Sequence, residues 1–493
     1  MMHKYCKYFI VWLGIFSLLP LQAQDEDGSV ARLRGELDYI FADPSFAIAH
    51  WGVAIQSLKT GEYFYLRNEH KAFMPAPNMK LFTTAAALLT LGSDYRFVTK
   101  LFANGLVDPE GVLQGDLVIV GCGDPSLSGR WSNGQITLIF EQWADSLKSK
   151  GIKAVAGKVV GDDRYFSDEP LGAGWAWDDI SDYYAAQISA LTFNDNCVDI
   201  IFNPGDSIGA PASFKIEPNT SYVQVVDRVL TGRHTNIVFR RSLGANQIIC
   251  SGTVAQRDRD HREWFTVENP TKFTVHALRE ILQAKGLAIA GEACDVDELP
   301  GYLPASYVIL PVATHTSPPL SEIVKVTNKD SNNLFAELLL RVIGRERGEE
   351  GSATAGEKEE KRLFEAMGID PEHLSIADGS GLSRLDLVTP MSVIKLLRYM
   401  RQQPAGEVFF QSLPIAGFDG TIKKRMRYTT AKNNVRAKTG SIGRVRTLSG
   451  YVTTLENEEL VFSIMVNNYA APSSTANYIQ DLVCERLANF TRR

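Results

Sequence analysis

Three short groups of residues in this chain could carry chemistry together. Lys80 lies one turn into a predicted helix, Ser331-Asn332-Asn333 opens a second, and Lys438-Thr439-Gly440 sits on a predicted strand that begins near Val435. Each alone is weak, since a Ser-x-Asn at a helix start is an ordinary N-cap pattern. Their order and settings, two helix starts and an edge-like strand, are much less expected jointly. They supply two amines, hydroxyls and a carboxamide, groups that hold a substrate by charge and hydrogen bonds or take a proton from an oxygen nucleophile. Other patterns carry less. Ser392-Val393-Ile394-Lys395 puts a lysine three residues after a serine, but within an ordinary helical stretch that continues into Leu396 and Leu397. Gly205-Asp206-Ser207-Ile208-Gly209 has the spelling of a nucleophile elbow, which needs a strand before it and a helix after it. Pro204 and Pro211 flank it and no helical pattern follows, so it reads as a loop. The eight histidines are scattered without an HExxH pattern, and no structural or catalytic metal is expected.

The elements that must position these residues follow from local pattern. Residues 51–57 and 63–66 are strand-like runs joined through a turn at Gly61. Residues 78–91 are rich in Ala, Leu and Met, with Pro77 just before and Gly92 just after, which predicts a helix. From 94 to 303 short apolar runs are broken by Gly, Pro, Asn and Asp, a β-rich texture. Helical patterning returns at 331–343, where Leu334, Leu338 and Val342 share a face. Residues 349–362 read as an exposed loop leading into a helix. Thr389-Pro390 opens another helix running to Met400, 447–454 and 460–467 predict a hairpin, and Ile479, Leu482, Val483, Leu487 and Phe490 predict a closing amphipathic helix. The two ends of the chain are α/β and the middle is not. The expected organisation is one domain, 24–93 with 304–493, split by a β-rich inserted region of two subdomains at 94–303.

The combined groups resemble the active-site set of penicillin-binding proteins and serine β-lactamases: Ser-x-x-Lys, Ser-x-Asn and Lys-Thr-Gly. Longer stretches narrow the resemblance. Pro75-Ala76-Pro77-Asn78-Met79-Lys80-Leu81-Phe82-Thr83, Ser317-Pro318-Pro319-Leu320-Ser321-Glu322-Ile323, Asp378-Gly379-Ser380-Gly381-Leu382-Ser383 and Arg436-Ala437-Lys438-Thr439-Gly440-Ser441 are similar to the low-molecular-mass D-alanyl-D-alanine carboxypeptidase/endopeptidase group. So, within the middle region, are Trp175-Ala176-Trp177-Asp178-Asp179 and Phe193-Asn194-Asp195-Asn196-Cys197. The resemblance implies an α/β fold: a penicillin-binding-protein/β-lactamase-like transpeptidase domain, with an antiparallel sheet flanked by helices, interrupted by the β-rich insertion. It implies a peptidoglycan stem peptide ending in D-Ala-D-Ala as substrate, with no cofactor. It makes Lys80 the base, Ser331 a proton relay between Lys80, Lys438 and the leaving group, and Asn333 the holder of the substrate amide. Lys438 with Thr439 would meet the substrate carboxylate, and the N–H of Ser441, which follows Gly440, would be one of two oxyanion donors. The Asp378–Gly381 turn would line the cleft.

One position departs from that pattern. Where the family has its nucleophilic serine, three residues before Lys80, this chain has Pro77. Proline has no hydroxyl to form an acyl-enzyme, and no N–H, although the nucleophile's own N–H is the second oxyanion donor in the family. Loss of a serine nucleophile costs ~10⁶ in kcat, and loss of an oxyanion donor alone ~10² to 10³. For the fold the change is mild, because proline is accepted in the first turn of a helix. The expectation is therefore a serine-type carboxypeptidase/endopeptidase homologue whose acylation is severely impaired or absent. The alternatives are a non-catalytic peptidoglycan-binding protein, which would take β-lactams non-covalently, or a serine β-lactamase.

Composition bounds these readings. The chain has 493 residues, 45% hydrophobic and 22% charged, which excludes a small module or a disordered tail. A net charge of -6 argues against a nucleic-acid partner held by phosphate neutralisation. Lys4 and Lys7, an uncharged apolar run from Tyr8 to Leu19, and Leu21-Gln22-Ala23 read as a secretory signal peptide over 1–23. That predicts a periplasmic protein with no transmembrane segment after cleavage. Five cysteines would remain, enough for two bridges at most, and they read as small buried residues. Lys423-Lys424-Arg425-Met426-Arg427 reads as a solvated basic face.

Overall fold

The computed structural model describes residues 28–302, 309–348 and 350–492; the signal-peptide reading falls outside them. Five antiparallel strands form the sheet that carries the site. Their order is Arg436–Ile442, Val445–Thr453, Glu459–Asn467, His50–Ser57, Tyr63–Arg67, so residues more than 400 apart in sequence pair directly, as Trp51 does with Val466. The three inner strands are buried on successive residues because both faces are covered. Val53, Ile55, Ile464 and Val466 point into one layer, where the helices Gly28–Phe41 and Ser473–Ala488 pack with Leu37, Val483 and Leu487. Ala54, Val461 and Met465, of opposite parity, point into the other. There Met79–Leu91, Leu320–Lys329, Asn333–Arg347, Ala353–Ala366 and Pro390–Arg401 form a helical layer. The mixed α/β architecture, an antiparallel sheet flanked by helices, is the one the sequence leads one to expect.

Helix ends follow their sequence signals. Thr389 caps Pro390–Arg401 in a capping box with Ser392, whose Oγ in turn donates to the Thr389 carbonyl at 2.7 Å. Ser392 is thereby a structural residue, and Lys395 projects away from it to the Gly368 carbonyl. One helix start differs from the expectation. Ala353–Ala366 begins at the Ser352 cap, inside the stretch read as an exposed loop, and its Glu360 is wholly buried with no hydrogen-bond partner among the described residues. Burial pushes that carboxyl well above its ordinary range.

The middle of the chain builds three further sheets. A seven-stranded one is centred on the pair Val98–Val107 and Val112–Val120. Two three-stranded ones are His261–Thr266, Cys197–Asn203, Ser213–Glu217 and Asn236–Arg241, Gln247–Ala255, Gln224–Gly232. One apolar cluster, including Leu117, Ile200, Ile248 and Phe273, runs through all three with the helices Leu138–Ser149 and Pro270–Ala284. The strand Ile309–Thr316, expected in the second half of the split domain, pairs antiparallel with Val98–Val107. Ser207 lies in an exposed loop between the strands Cys197–Asn203 and Ser213–Glu217, with no helix after it. All five described cysteines are free.

Candidate active site

The approach of one turn to one strand organises the site. Ala76–Asn78 forms a single 3-10 turn that leads into Met79–Leu91, and Ala76 stands at φ 51°, a left-handed conformation that a side chain disfavours. The turn is gripped from two sides. Thr447 Oγ1 donates to the Pro75 carbonyl at 2.7 Å. A Cβ on Gly440 would come within 2.6 Å of the Pro75 oxygen, and one on Gly381 within 1.9 Å of the Ala76 oxygen. The glycines of Lys-Thr-Gly and of the 378–381 turn are therefore required by how closely this turn packs.

Lys80, one turn further on, has no exposed surface. Its Nζ donates to Asn333 Oδ1 at 2.6 Å and to the Ser380 carbonyl at 2.7 Å. Burial pulls its pKa down to about 7, although the carboxylates of Asp378, Glu337 and Asp386 act to raise it. Lys438, equally buried, donates to Ser331 Oγ at 2.8 Å and to the Thr439 carbonyl at 2.9 Å. Burial first, and then the charge of Lys80, lower its pKa well below the ordinary lysine range.

Ser331 is not the helix cap. Asn332 is, its Oδ1 accepting the Phe335 N–H at 3.0 Å, while Ser331 stands one residue outside at φ 60°. A serine in that region carries backbone strain, and the cap after it and Lys438 hold it there.

Buried carboxylates fix the loop that receives Lys80. Asp378 accepts the N–H groups of Ser380, Gly381 and Ser383. Glu337 Oε1 accepts those of Gly379 and Ser380, and its other oxygen meets the buried Arg341 at 3.1 Å. The middle region reaches the same centre. Trp175 Nε1 donates to Asp378 at 2.9 Å, and Asn333 Nδ2 donates to the Tyr184 carbonyl at 2.7 Å. Asp195 accepts from Asn332 Nδ2 at 3.1 Å and pairs with Arg130 at 2.6 Å. Asn194, Asp195 and Asn196 are all left-handed, with φ 48°, 54° and 55°, so the Asp195 carboxylate is presented by a strained backbone.

These residues border a cavity of about 850 Å³ lined by Pro77, Tyr184, Ser331, Asn333, Thr439 and Ser441, among others. Lys80 and Lys438 stand behind this wall and reach it through Asn333 and Ser331. Arg436–Ile442 is the edge strand of its sheet, and the outward groups of such a strand can pair with an extended peptide. The Ala437 N–H points away from the sheet to the Pro414 carbonyl, and on the period of two Thr439 and Ser441 face the same way. Thr439 Oγ1 donates to Thr421 Oγ1 at 2.8 Å. Where Pro77 borders the cavity it offers neither hydroxyl nor N–H.

Sequence reasoning singled out Lys80, Ser331, Asn333, Lys438, Thr439, Gly440 and Ser441, and the fold brings all of them around the Pro77 turn. It missed Glu337, Arg341, Tyr184 and Arg130, and it marked Asp195 only as part of a resembling stretch, with no role in the site. Glu337 and Arg341 do carry an i,i+4 signal, whereas the others act across long separations. As for metals, Asp163, Asp295 and Asp297 bring carboxylate oxygens within 4.8 Å of one another. None of them lines the cavity, and Asp163 already accepts from Ser189 and Thr271 and Asp295 from Asn269.

Comparison with known proteins gives the family and the fold. The family model described as the D-Ala-D-Ala carboxypeptidase 3 (S13) family matches residues 33–489. A D-alanyl-D-alanine carboxypeptidase of Actinomadura sp. (strain R39) is 34% identical over 486 residues, covering 96% of this chain and 87% of that protein. The D-alanyl-D-alanine carboxypeptidase DacB of Haemophilus influenzae is 29% identical over 406 residues, covering 80% of this chain and 81% of its own. The crystal structure of penicillin binding protein 4 (dacB) from Haemophilus influenzae shares the fold at a TM-score of 0.78 and 24% identity, covering 92% of this chain and 99% of that one.

Proposed function

Because the chain belongs to the D-Ala-D-Ala carboxypeptidase 3 (S13) family, whose members act on peptidoglycan, we propose that it binds stem peptides ending in D-Ala-D-Ala and does not form an acyl-enzyme with them. The observation that carries this reading is the contrast between an assembled recognition wall and the residue at its centre. Lys438 and Ser331 are bonded to each other, Asn333 is fixed by Lys80 and Tyr184, and the outward backbone of Thr439 and Ser441 can receive an extended peptide. In this reading Thr439, with Lys438 behind it acting through Ser331, meets the terminal carboxylate, Asn333 the penultimate amide, and the Ser441 N–H the scissile carbonyl oxygen. Pro77 removes the attacking hydroxyl and one oxyanion donor at once. Such a protein recognises the peptide outside the cytoplasm, in the periplasm if residues 1–23 direct its export.

The test is the intact mass of the purified chain after incubation with a penicillin, beside Pro77→Ser. In Pro77→Ser the new Oγ attacks the β-lactam carbonyl, its proton passes to Lys80, the ring C–N bond breaks and the ring nitrogen is protonated, so the mass rises by one whole penicillin. The expected result is that adduct on Pro77→Ser alone, with a rate difference of at least ~10⁵. An adduct on the unsubstituted chain would overturn the reading.

A further inference from the structure

A peptidoglycan stem peptide is bonded at its far end to a sugar strand, and the surface outside the cavity has a feature that the peptide does not explain. Tyr183 lines the cavity and is 60% exposed. Its ring meets that of Trp264, with centroids 6.2 Å apart and planes at 63°. Trp264 is 47% exposed, while the next residue, Phe265, is the one that fills the core. Both rings are held in place, because Asp182 bridges Phe265 and ties the 182–184 segment to the strand His261–Thr266. Beyond Trp264, the same face of the three-stranded sheet carries Asp199, Glu217, Arg262 and Lys215. These charges are spent on one another: Arg262 pairs with Asp199 and, at 2.8 Å, with Glu217, which also meets Lys215 at 3.0 Å. Two cations and two anions leave a polar patch with no net charge. Such a face attracts neither an anionic bilayer nor a polyanion.

We propose that Tyr183 and Trp264 form a sugar-stacking platform at the rim of the cavity, which takes a pyranose ring of the glycan strand that bears the stem peptide. The axial C–H groups of a pyranose carry partial positive charge and suit the negative face of an aromatic ring. Its hydroxyls can both donate to and accept from the polar face beside Trp264. The platform adjoins the cavity through Tyr183, so one ligand can occupy both. The inference rests on the stem-peptide reading above and extends it from a peptide terminus to a polymer.

Calorimetric titration of the unsubstituted chain with two ligands separates the two ideas. One ligand is the pentapeptide stem alone, and the other is the same stem on an N-acetylglucosaminyl-N-acetylmuramic acid disaccharide. The disaccharide ligand should bind about tenfold more tightly, the scale of one aromatic stacking contact. Trp264→Ala should bring it to the affinity of the bare peptide without changing the latter, and Trp264→Phe should retain part of the gain. Equal affinities for the two ligands, or a Trp264→Ala loss shared by both, would overturn the platform and leave stem-peptide binding intact. Failure of both ligands to bind would overturn both.

Discussion

Lys80 and Lys438 are two amines buried in one small region, and among the described residues neither has a carboxylate in direct contact. Lys80 is held instead by two neutral oxygens, Asn333 Oδ1 and the Ser380 carbonyl, so burial dominates and its pKa falls to about 7. A proton acceptor must be neutral to act, and Lys80 is neutral above that value. In Pro77→Ser the rate of penicillin acylation should therefore fall about tenfold per unit as pH drops below about 7, and level off above it. A rate that stays flat from about pH 5 to about 9 would remove Lys80 from the role of base. The same shift bears on stability. The unfolded chain keeps this lysine protonated up to its ordinary value of 10.5, whereas the folded chain releases the proton near 7. Between those values the unfolded state binds more protons, so the contribution of Lys80 to stability rises with pH across that window.

Among the elements, the site depends on a proline turn pressed between a strand and a loop. Gly381 stands at φ 79°, and a Cβ there would lie 1.9 Å from the Ala76 oxygen, a backbone atom that cannot swing aside. Gly381→Ala should therefore cost about 1 to 3 kcal/mol in urea unfolding, and in the Pro77→Ser background it should abolish the penicillin adduct. Unchanged stability would mean that the turn can retreat. Much at this scale was legible in sequence, because apolar period, Pro and Gly mark helix and strand ends directly. The helix at 79–91, the closing hairpin and the Thr389 cap all follow from such local signals. Ser331 was not legible, because Ser-x-Asn fits a serine cap as well as an asparagine cap preceded by a strained serine, and only the backbone conformation distinguishes them. Nor was the Ala353–Ala366 helix start, since Glu359 and Glu360 look solvated in sequence and Glu360 is buried.

Across the whole molecule, the middle of the chain reaches the site from a distance. Asp195 is separated by 137 residues from Asn332, Tyr184 by 149 from Asn333, and Trp175 by 203 from Asp378, yet each closes a hydrogen bond onto the loops around Lys80 and Ser331. No local pattern predicts contacts at such separations, so sequence could mark the residues of the site but not what supports them. Asp195 gives this a test. Its pair with Arg130 is partly solvated, with side chains 22% and 36% exposed, and such pairs contribute about 1 kcal/mol or less to global stability. Its contact with Asn332, however, holds the cap that follows the strained Ser331. Small displacements of positioned groups cost far more in rate than in stability. Asp195→Ala in the Pro77→Ser background should therefore slow penicillin acylation by about 10- to 100-fold while changing the urea-unfolding free energy by less than about 1 kcal/mol. Glu141→Ala, which breaks a comparable pair with Lys285 elsewhere in the same region, should leave the acylation rate unchanged. Equal acylation rates in the two variants would show that the middle region merely sits beside the site, whereas a loss confined to Asp195→Ala would make it part of what keeps Ser331 in place.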